Sequence, residues 1–427
     1  MISGTAYKPA AFILLLCFVL TGAVMLYLQI SRTPEAIIEQ QAQEYVVLAL
    51  AIDQIFPGEV DAWFGPSALM EDAKDRELTL EEIVTQAREL AGAVSSVTAT
   101  ETDSRRNQLL DRINQLIAVA QSLSAETPQP FESELASLYG LALPATATSG
   151  DLLDKLEALL PGRGNLAFKV ASWQNKLMIP AEKRQAVFEA ALAECRKRTL
   201  SHWDLPTEEK LDIEWTRDVQ AAWHEYKGAY RSLLRINALT VAFVSQSVDL
   251  ACHEGYPGHH AQFVLMESSS ALPVEATVVL LRSPGSVLRE GAASHAAALV
   301  FTAEERLDFE RNVLYPLAGL PDQEAATALQ IHQLVNDLSS AAAPIIRDYR
   351  NGITDFNATT FQLEREAMIS SPVPLLEFID KYGAYAMGYV LVRDLVSEYL
   401  TGIPDDKWTA MRELLVTSPD LALERIR

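Results

Sequence analysis

The sequence predicts a mainly α fold with a small β element and an N-terminal transmembrane helix. Three observations carry that expectation. Most of the chain repeats apolar residues at three- and four-residue spacing, as amphipathic helices do. From Gly228 the period changes: Tyr230, Ser232, Leu234 and Ile236 alternate with Arg231, Leu233, Arg235 and Asn237. That alternation is a strand signal. Finally, Ala10 to Ile30 is apolar and uncharged over 21 residues, long enough to cross a bilayer as a helix.

A cleaved signal peptide is the competing reading of that first segment, but its apolar region is usually about 7–15 residues. Thr21-Gly22-Ala23 imitates a cleavage site, yet the apolar run continues past it. Cys17 sits in Leu15-Leu16-Cys17-Phe18, a poor lipoprotein site. The segment therefore reads as an uncleaved signal anchor over residues 1–33. Lys8 on one side and Arg32 on the other give a weak positive-inside signal. A short tail before the span and an acidic domain after it favour a single-pass protein with its domain outside the cytoplasm. With 427 residues the rest is one large domain or two lobes; the expected division is a helical lobe over 34–205 and a second lobe over 206–427.

The formal charge is −22. Nucleic acid rewards clustered Lys and Arg, so this acidic surface argues against it. Composition is otherwise that of a folded protein. Besides Cys17 there are only Cys195 and Cys252. Two cysteines make no disulfide framework, and their pairing is not predictable. Cys252 directly precedes His253, but adjacent helical positions point about 100° apart and rarely form a nucleophile–base pair. Cys252 reads as a small buried residue.

After the anchor, Glu35 to Ile55 reads as a helix, with Tyr45, Leu48, Ala49, Ile52 and Ile55 on one face. Pro57-Gly58 stops it and Gly65-Pro66 marks another turn. Leu78 to Ala93, Arg105 to Leu123 and Glu182 to Arg198 are further helices. Leu143 to Gly150 is a connection of small and polar residues, and Pro161 to Asn165 an interhelix turn. Thr240 to Gly255 follows the strand as a helix, then Ser268 to Pro273 forms a loop and Thr277 to Leu281 an apolar segment. Glu290 to Phe301, Ala325 to Leu338 and Thr359 to Ile369 complete the helical set.

The chemistry concentrates in His253-Glu254-Gly255-Tyr256-Pro257-Gly258-His259-His260, which holds three of the seven histidines. A Zn2+ hydrolase needs neutral imidazoles, a carboxylate base and an open coordination position. In the helical H-E-x-x-H form both histidines share a face; here the fifth residue is Pro257. On an unbroken helix His260 would lie roughly 10.5 Å beyond His253, too far to share an ion with Zn–N bonds of about 2.0–2.1 Å. Pro257-Gly258 therefore reads as a two-residue insertion that bulges or breaks the helix. His259 becomes the second ligand and His260 the reserve. For the third ligand, Glu290 in Arg289-Glu290-Gly291-Ala292-Ala293-Ser294-His295 is the best candidate; alone, it would read as a carboxylate at a helix N-terminus. Tyr385, Tyr389 and Arg393 recur every four residues and are expected on one helix face, as a core stripe or as groups facing substrate.

The motif resembles a bacterial family of uncharacterised proteins with an H-E-x-x-P-G-H-H signature and a later E-G-W/x-A segment. Phe56 to Pro66 and the run from Arg231 into Cys252 are similar as well, so the likeness covers most of the chain after the first forty residues. Ala292 stands where the family often has an aromatic. The resemblance implies a large helical fold distantly similar to thermolysin-like and carboxypeptidase Taq-like zinc peptidases. It implies zinc held by His253, His259 and Glu290, with Glu254 taking a proton from water and returning it to the leaving amine. Tyr385 or Tyr389 would donate to the oxyanion, with Tyr385 preferred, and Arg393 and His260 are the candidates for substrate binding or alternative ligation. An edge strand at Tyr230–Ile236 would pair with extended substrate. The expected function is a membrane-anchored zinc peptidase acting on a peptide or another amide such as a cell-wall fragment. A catalytically inactive, membrane-anchored binding protein is the alternative.

Overall fold

The computed structural model describes residues 33–98, 102–144, 150–218, 221–269, 272–403, 405–417 and 419–427. The Ala10–Ile30 segment and Cys17 lie outside them. Among the described residues no helix is long and apolar enough to cross a membrane. The fold is mainly α, with five short strands among those residues.

Helix α1 (Pro34–Ile55) starts where Thr33 accepts a hydrogen bond from the Ala36 amide at 3.2 Å. The expected single apolar face is too narrow. Tyr45 through Ile52 are all buried, as in a helix surrounded by protein. Strand β1 (Val60–Trp63) follows a turn in which the Asp53 carboxylate accepts from the Gly58 amide at 2.9 Å and the Val60 amide at 3.1 Å. Helix α2 (Leu80–Ser95) opens with a reciprocal Thr79–Glu82 capping box and packs on α3 (Asp103–Ser124). Helix α4 (Phe131–Tyr139) ends at Gly140 in the left-handed region. Helix α5 (Arg184–Thr199) closes the first half of the chain.

Strands β2 (Lys210–Thr216), β3 (Ala222–Gly228) and β4 (Arg231–Asn237) form one sheet in the order β2-β4-β3, parallel between β2 and β4 and antiparallel between β3 and β4. This corrects the edge-strand expectation. Both sides of β4 are already hydrogen-bonded, so it cannot take a substrate strand; β2 and β3 are the edges. Tyr230 is not in the strand. It lies with Ala229 in a hairpin turn of positive φ, held by the Glu267 carboxylate, which accepts from both amides at 3.0 Å.

Helix α6 (Val244–Glu254) and helix α7 (His259–Glu267) come next. Strand β5 (Val278–Leu280) pairs antiparallel with β1. Helix α8 (Pro284–Val300) begins six residues before the expected start at Glu290, at a Ser283 cap. Most of α8 is buried, and it packs against α6. Helix α9 (Ala325–Leu338) matches its expected range.

The stretch from Lys381 to Arg393 is not one helix. A 3-10 segment, Gly383–Gly388, is followed by a separate helix α10 (Leu391–Thr401). Glu134 of α4 causes the break at Gly383. Its carboxylate accepts from the Ala384 amide at 2.8 Å, and a Cβ on Gly383 would lie 2.0 Å from it. One apolar core runs from Ile38 to Ile426 and draws on both the 34–205 and 206–427 segments.

Candidate metal centre

Helices α6 and α7 are one helical line interrupted at Gly255–Gly258. Across the break the Gly258 amide donates to the Cys252 carbonyl at 3.0 Å and the Ala261 amide to the Gly255 carbonyl at 3.1 Å. Each hydrogen bond spans six residues instead of four, so two extra residues are accommodated. Position 258 requires glycine: a Cβ there would sit 1.7 Å from the His253 carbonyl oxygen. The break swings His259 back beside His253, with ring centres 4.7 Å apart and planes at 89°.

Glu290 reaches the same point from α8. Its carboxylate oxygens lie 3.4 Å from His253 Nε2 and 3.4 Å from His259 Nε2. One ligand atom from each of the three falls within 4.8 Å of the others. Bonds of about 2.0–2.1 Å in a tetrahedron place ligand atoms about 3.4 Å apart, so the set fits Zn2+. Glu290 Oε2 is buried and has no hydrogen-bond partner, which an ion would supply. Burial opposes charge on Glu290, yet His259 and His253 hold its carboxyl well below the usual range. Burial likewise lowers His259, but Glu290 overrides it and raises the ring to about 9. Glu290 is the seventh residue of α8, beyond the first turn, so the helix dipole does not account for it.

Glu254 follows His253 and is buried. Burial pushes its carboxyl above the usual range, against the pull of His253 and His259. The Tyr385 hydroxyl donates to Glu290 Oε1 at 2.6 Å. Tyr389 stacks on the His253 ring, centres 5.9 Å apart and planes at 11°. It is 37% exposed and within electrostatic reach of Glu290 and Glu254.

Two expected residues stand apart. His260 is fully buried, with Nε2 at 2.8 Å from a Glu209 oxygen and Nδ1 at 2.7 Å from the Ser232 hydroxyl. Both ring nitrogens are occupied, so His260 is no reserve ligand. Arg393 donates to the Asn336 carbonyl at 3.1 Å, the Ser339 and Ser340 hydroxyls at 3.1 and 2.8 Å, and Asp394 at 2.7 Å. It ties α10 to the end of α9 rather than facing substrate, because the break before Leu391 removes the four-residue phase linking it to the tyrosines.

The sequence reading missed several residues. Glu209 also accepts from Tyr256 at 2.5 Å and Arg196 at 2.6 Å; burial opposes its charge, but His260, Tyr256 and Arg196 lower its carboxyl to about 2. Asp249, one turn before His253, pairs with Arg306 at 2.7 Å and with His332. His224 on β3 stacks on Phe263 with centres 5.8 Å apart, and its ring lies 5.7 Å from His259. Burial, then the nearby histidines, hold it well below its ordinary value, so it is neutral. Its place on an alternating segment beside Tyr226 was the available signal. Asp61 in β1 acts electrostatically on His259 and Glu290, and nothing in its spacing pointed to the site.

The two cysteines are also corrected. Cys195 of α5 and Cys252 of α6 form a disulfide, Cα atoms 5.5 Å apart. It anchors α6 one residue before His253.

No family model and no curated protein matches the chain. A solved structure from Colwellia psychrerythraea, described as a "putative lipoprotein", is similar with a TM-score of 0.50 at 13% identity. The likeness covers 83% of this chain and 71% of that one. At that identity it speaks for the fold alone.

Proposed function

We propose that this chain is a zinc-dependent hydrolase that cleaves peptide bonds, akin to the H-E-x-x-P-G-H-H proteins. The observation that carries the reading is the convergence of His253, His259 and Glu290 within 4.8 Å, with Glu254 beside them. A purely structural zinc site has no use for that buried carboxylate. When bound, zinc supplies Lewis acidity for a scissile carbonyl and lowers the pKa of a coordinated water.

The chain's own groups do the rest. His253 and His259 would hold the ion as neutral rings, His259 giving up the proton that Glu290 otherwise favours on it, and Glu290 would offer its carboxylate. Tyr385 fixes Glu290 by its hydroxyl, as outer hydrogen bonds orient ligands elsewhere. Glu254 accepts the proton of the attacking water and returns it to the leaving amine; its raised carboxyl pKa suits both duties. Tyr389, protonated at neutral pH and partly exposed to solvent, donates to the developing oxyanion. This exchanges the roles expected from sequence, where Tyr385 was preferred as donor.

The compartment belongs to the same reading. The disulfide between Cys195 and Cys252 suits an oxidising environment, and the Ala10–Ile30 segment supplies the anchor. Zinc content and hydrolysis of a mixed peptide library test the proposal. The wild-type protein should hold about one zinc per chain, and Glu254→Gln should hold as much and lose turnover. A fully active Glu254→Gln protein overturns the mechanism; a zinc-free active protein overturns the metal.

A further inference from the structure

Arg289 immediately precedes Glu290 and is 7% exposed. Among the described residues it makes no hydrogen bond or ion pair, and its Nε is buried without a partner. Its one close contact of charge is over the face of Phe263, 5.5 Å from the ring centre. Asp61 and Glu290 act on Arg289 through space, yet neither is bonded to it. A buried guanidinium whose N–H is unpaired is costly, and an anion bound beside it supplies the missing acceptor.

Arg289 lines a cavity of about 150 Å3. Arg112 of α3 and Tyr45 of α1 line it too, as do Ser283, Pro284 and Gly285 at the start of α8. The guanidinium nitrogens of Arg289 lie 3.4 Å from the position a Gly285 Cβ would take. The positive end of a 17-residue helix and two guanidiniums thus meet at one place. Asp111 is the carboxylate in the lining, and it is exposed. One part of the remaining wall is apolar, with Met266, Leu272, Val279 and Leu415, and Gln108, Gln115, Ser269 and Thr417 add neutral polar groups. A volume near 150 Å3 holds about a benzene-sized group. Toward the metal centre, Asp61, Tyr385 and Glu290 all act electrostatically on Arg289.

We infer that this cavity receives the C-terminal residue of a peptide, its free carboxylate on Arg289 and Arg112 and its small apolar side chain against the hydrophobic wall. The inference rests on the peptidase reading and deepens it: the enzyme removes residues from the carboxyl end. Guanidiniums pair with carboxylates through parallel, charge-assisted hydrogen bonds. A C-terminal amide lacks the charge and makes only the weaker neutral hydrogen bonds to Arg289.

Calorimetry on the full-length Glu254→Gln protein, which needs no turnover, tests this with N-acetyl-Leu-Leu and its C-terminal amide. The free acid should bind about tenfold or more tightly. Arg289→Gln should erase that preference. Arg112→Gln, on a less buried side chain, should reduce it and guards against a folding failure at 289. Inorganic phosphate should compete only weakly. Equal affinity for acid and amide, or a preference that survives Arg289→Gln, overturns the inference. So does tight phosphate binding that excludes neither peptide, which makes the cavity a site for a free anion. A protein that prefers the acid but never hydrolyses it keeps the pocket and sinks the peptidase. One that cleaves internal bonds with no preference at the terminus does the reverse.

Discussion

Neighbouring residues in one motif carry different duties. His259 points at Glu290 and His253, whereas His260 points at Glu209 and Ser232. His259→Ala is therefore expected to abolish tight zinc binding while the fold survives. His260→Ala should keep most of the metal and lower stability by about 1–3 kcal/mol, because it strips a buried partner from Glu209. Metal titration and thermal melts of both variants separate these outcomes, and the opposite order would exchange the ligand assignment. The tyrosines divide in the same way. Tyr389→Phe should lower kcat by about 10²–10³-fold with little change in KM, as when an oxyanion donor is removed. Tyr385→Phe should instead weaken zinc affinity by about 10–100-fold, since its hydroxyl holds the Glu290 carboxylate. Unchanged kcat in the Tyr389 variant would leave Glu254 as the only protein side chain assigned to the proton transfers and charge at the scissile bond.

At the level of elements, helices were legible where the signal is local, in apolar residues at three- and four-residue spacing. Ala325–Leu338 matches, and the helix expected from Glu35 begins at Pro34 behind Thr33. The break at Pro257-Gly258 was legible for the same reason, since proline and glycine act through the local backbone. What could not be read was set by partners far along the chain. Gly383 leaves the helical path because Glu134, some 250 residues away, takes the Ala384 amide. Strand order is likewise nonlocal, which is why β4 was mistaken for an edge and His224 on β3 escaped notice. The disulfide belongs to this class, as two cysteines carry no record of their separation in space. It closes a 57-residue span, which in the chain-entropy account stabilises by about 4 kcal/mol. Cys195→Ala together with Cys252→Ala should therefore lower the unfolding free energy by a large part of that amount. Zinc affinity should fall too, because Cys252 anchors the turn that carries His253. Denaturant unfolding and metal titration read the two effects, and an unchanged affinity would mean that packing alone holds α6.

For the molecule as a whole, the junction between the 34–205 and 206–427 segments contains a charged network as well as apolar core. Arg196 comes from the first segment, and Glu209, Tyr256, His260 and Ser232 from the second. At the centre is Glu209, its carboxyl lowered to about 2 against an ordinary 4.5 despite burial. The folded value lies below the unfolded one, so the carboxylate's contribution to stability is fully present above pH 4.5. It is lost as pH falls through the folded value near 2. The formal charge of −22 complicates any single melting curve, because protonating exposed carboxylates also relieves self-repulsion. Comparing wild type with Glu209→Gln removes that shared effect. The variant should melt lower than wild type at pH 7, and the gap should stay constant down to about pH 4.5. From there toward pH 2 the two midpoints should converge as wild type loses what the variant never had. Parallel curves across the whole acid range would show that Glu209 works in its neutral form, and that the two segments are joined by packing rather than by this charge.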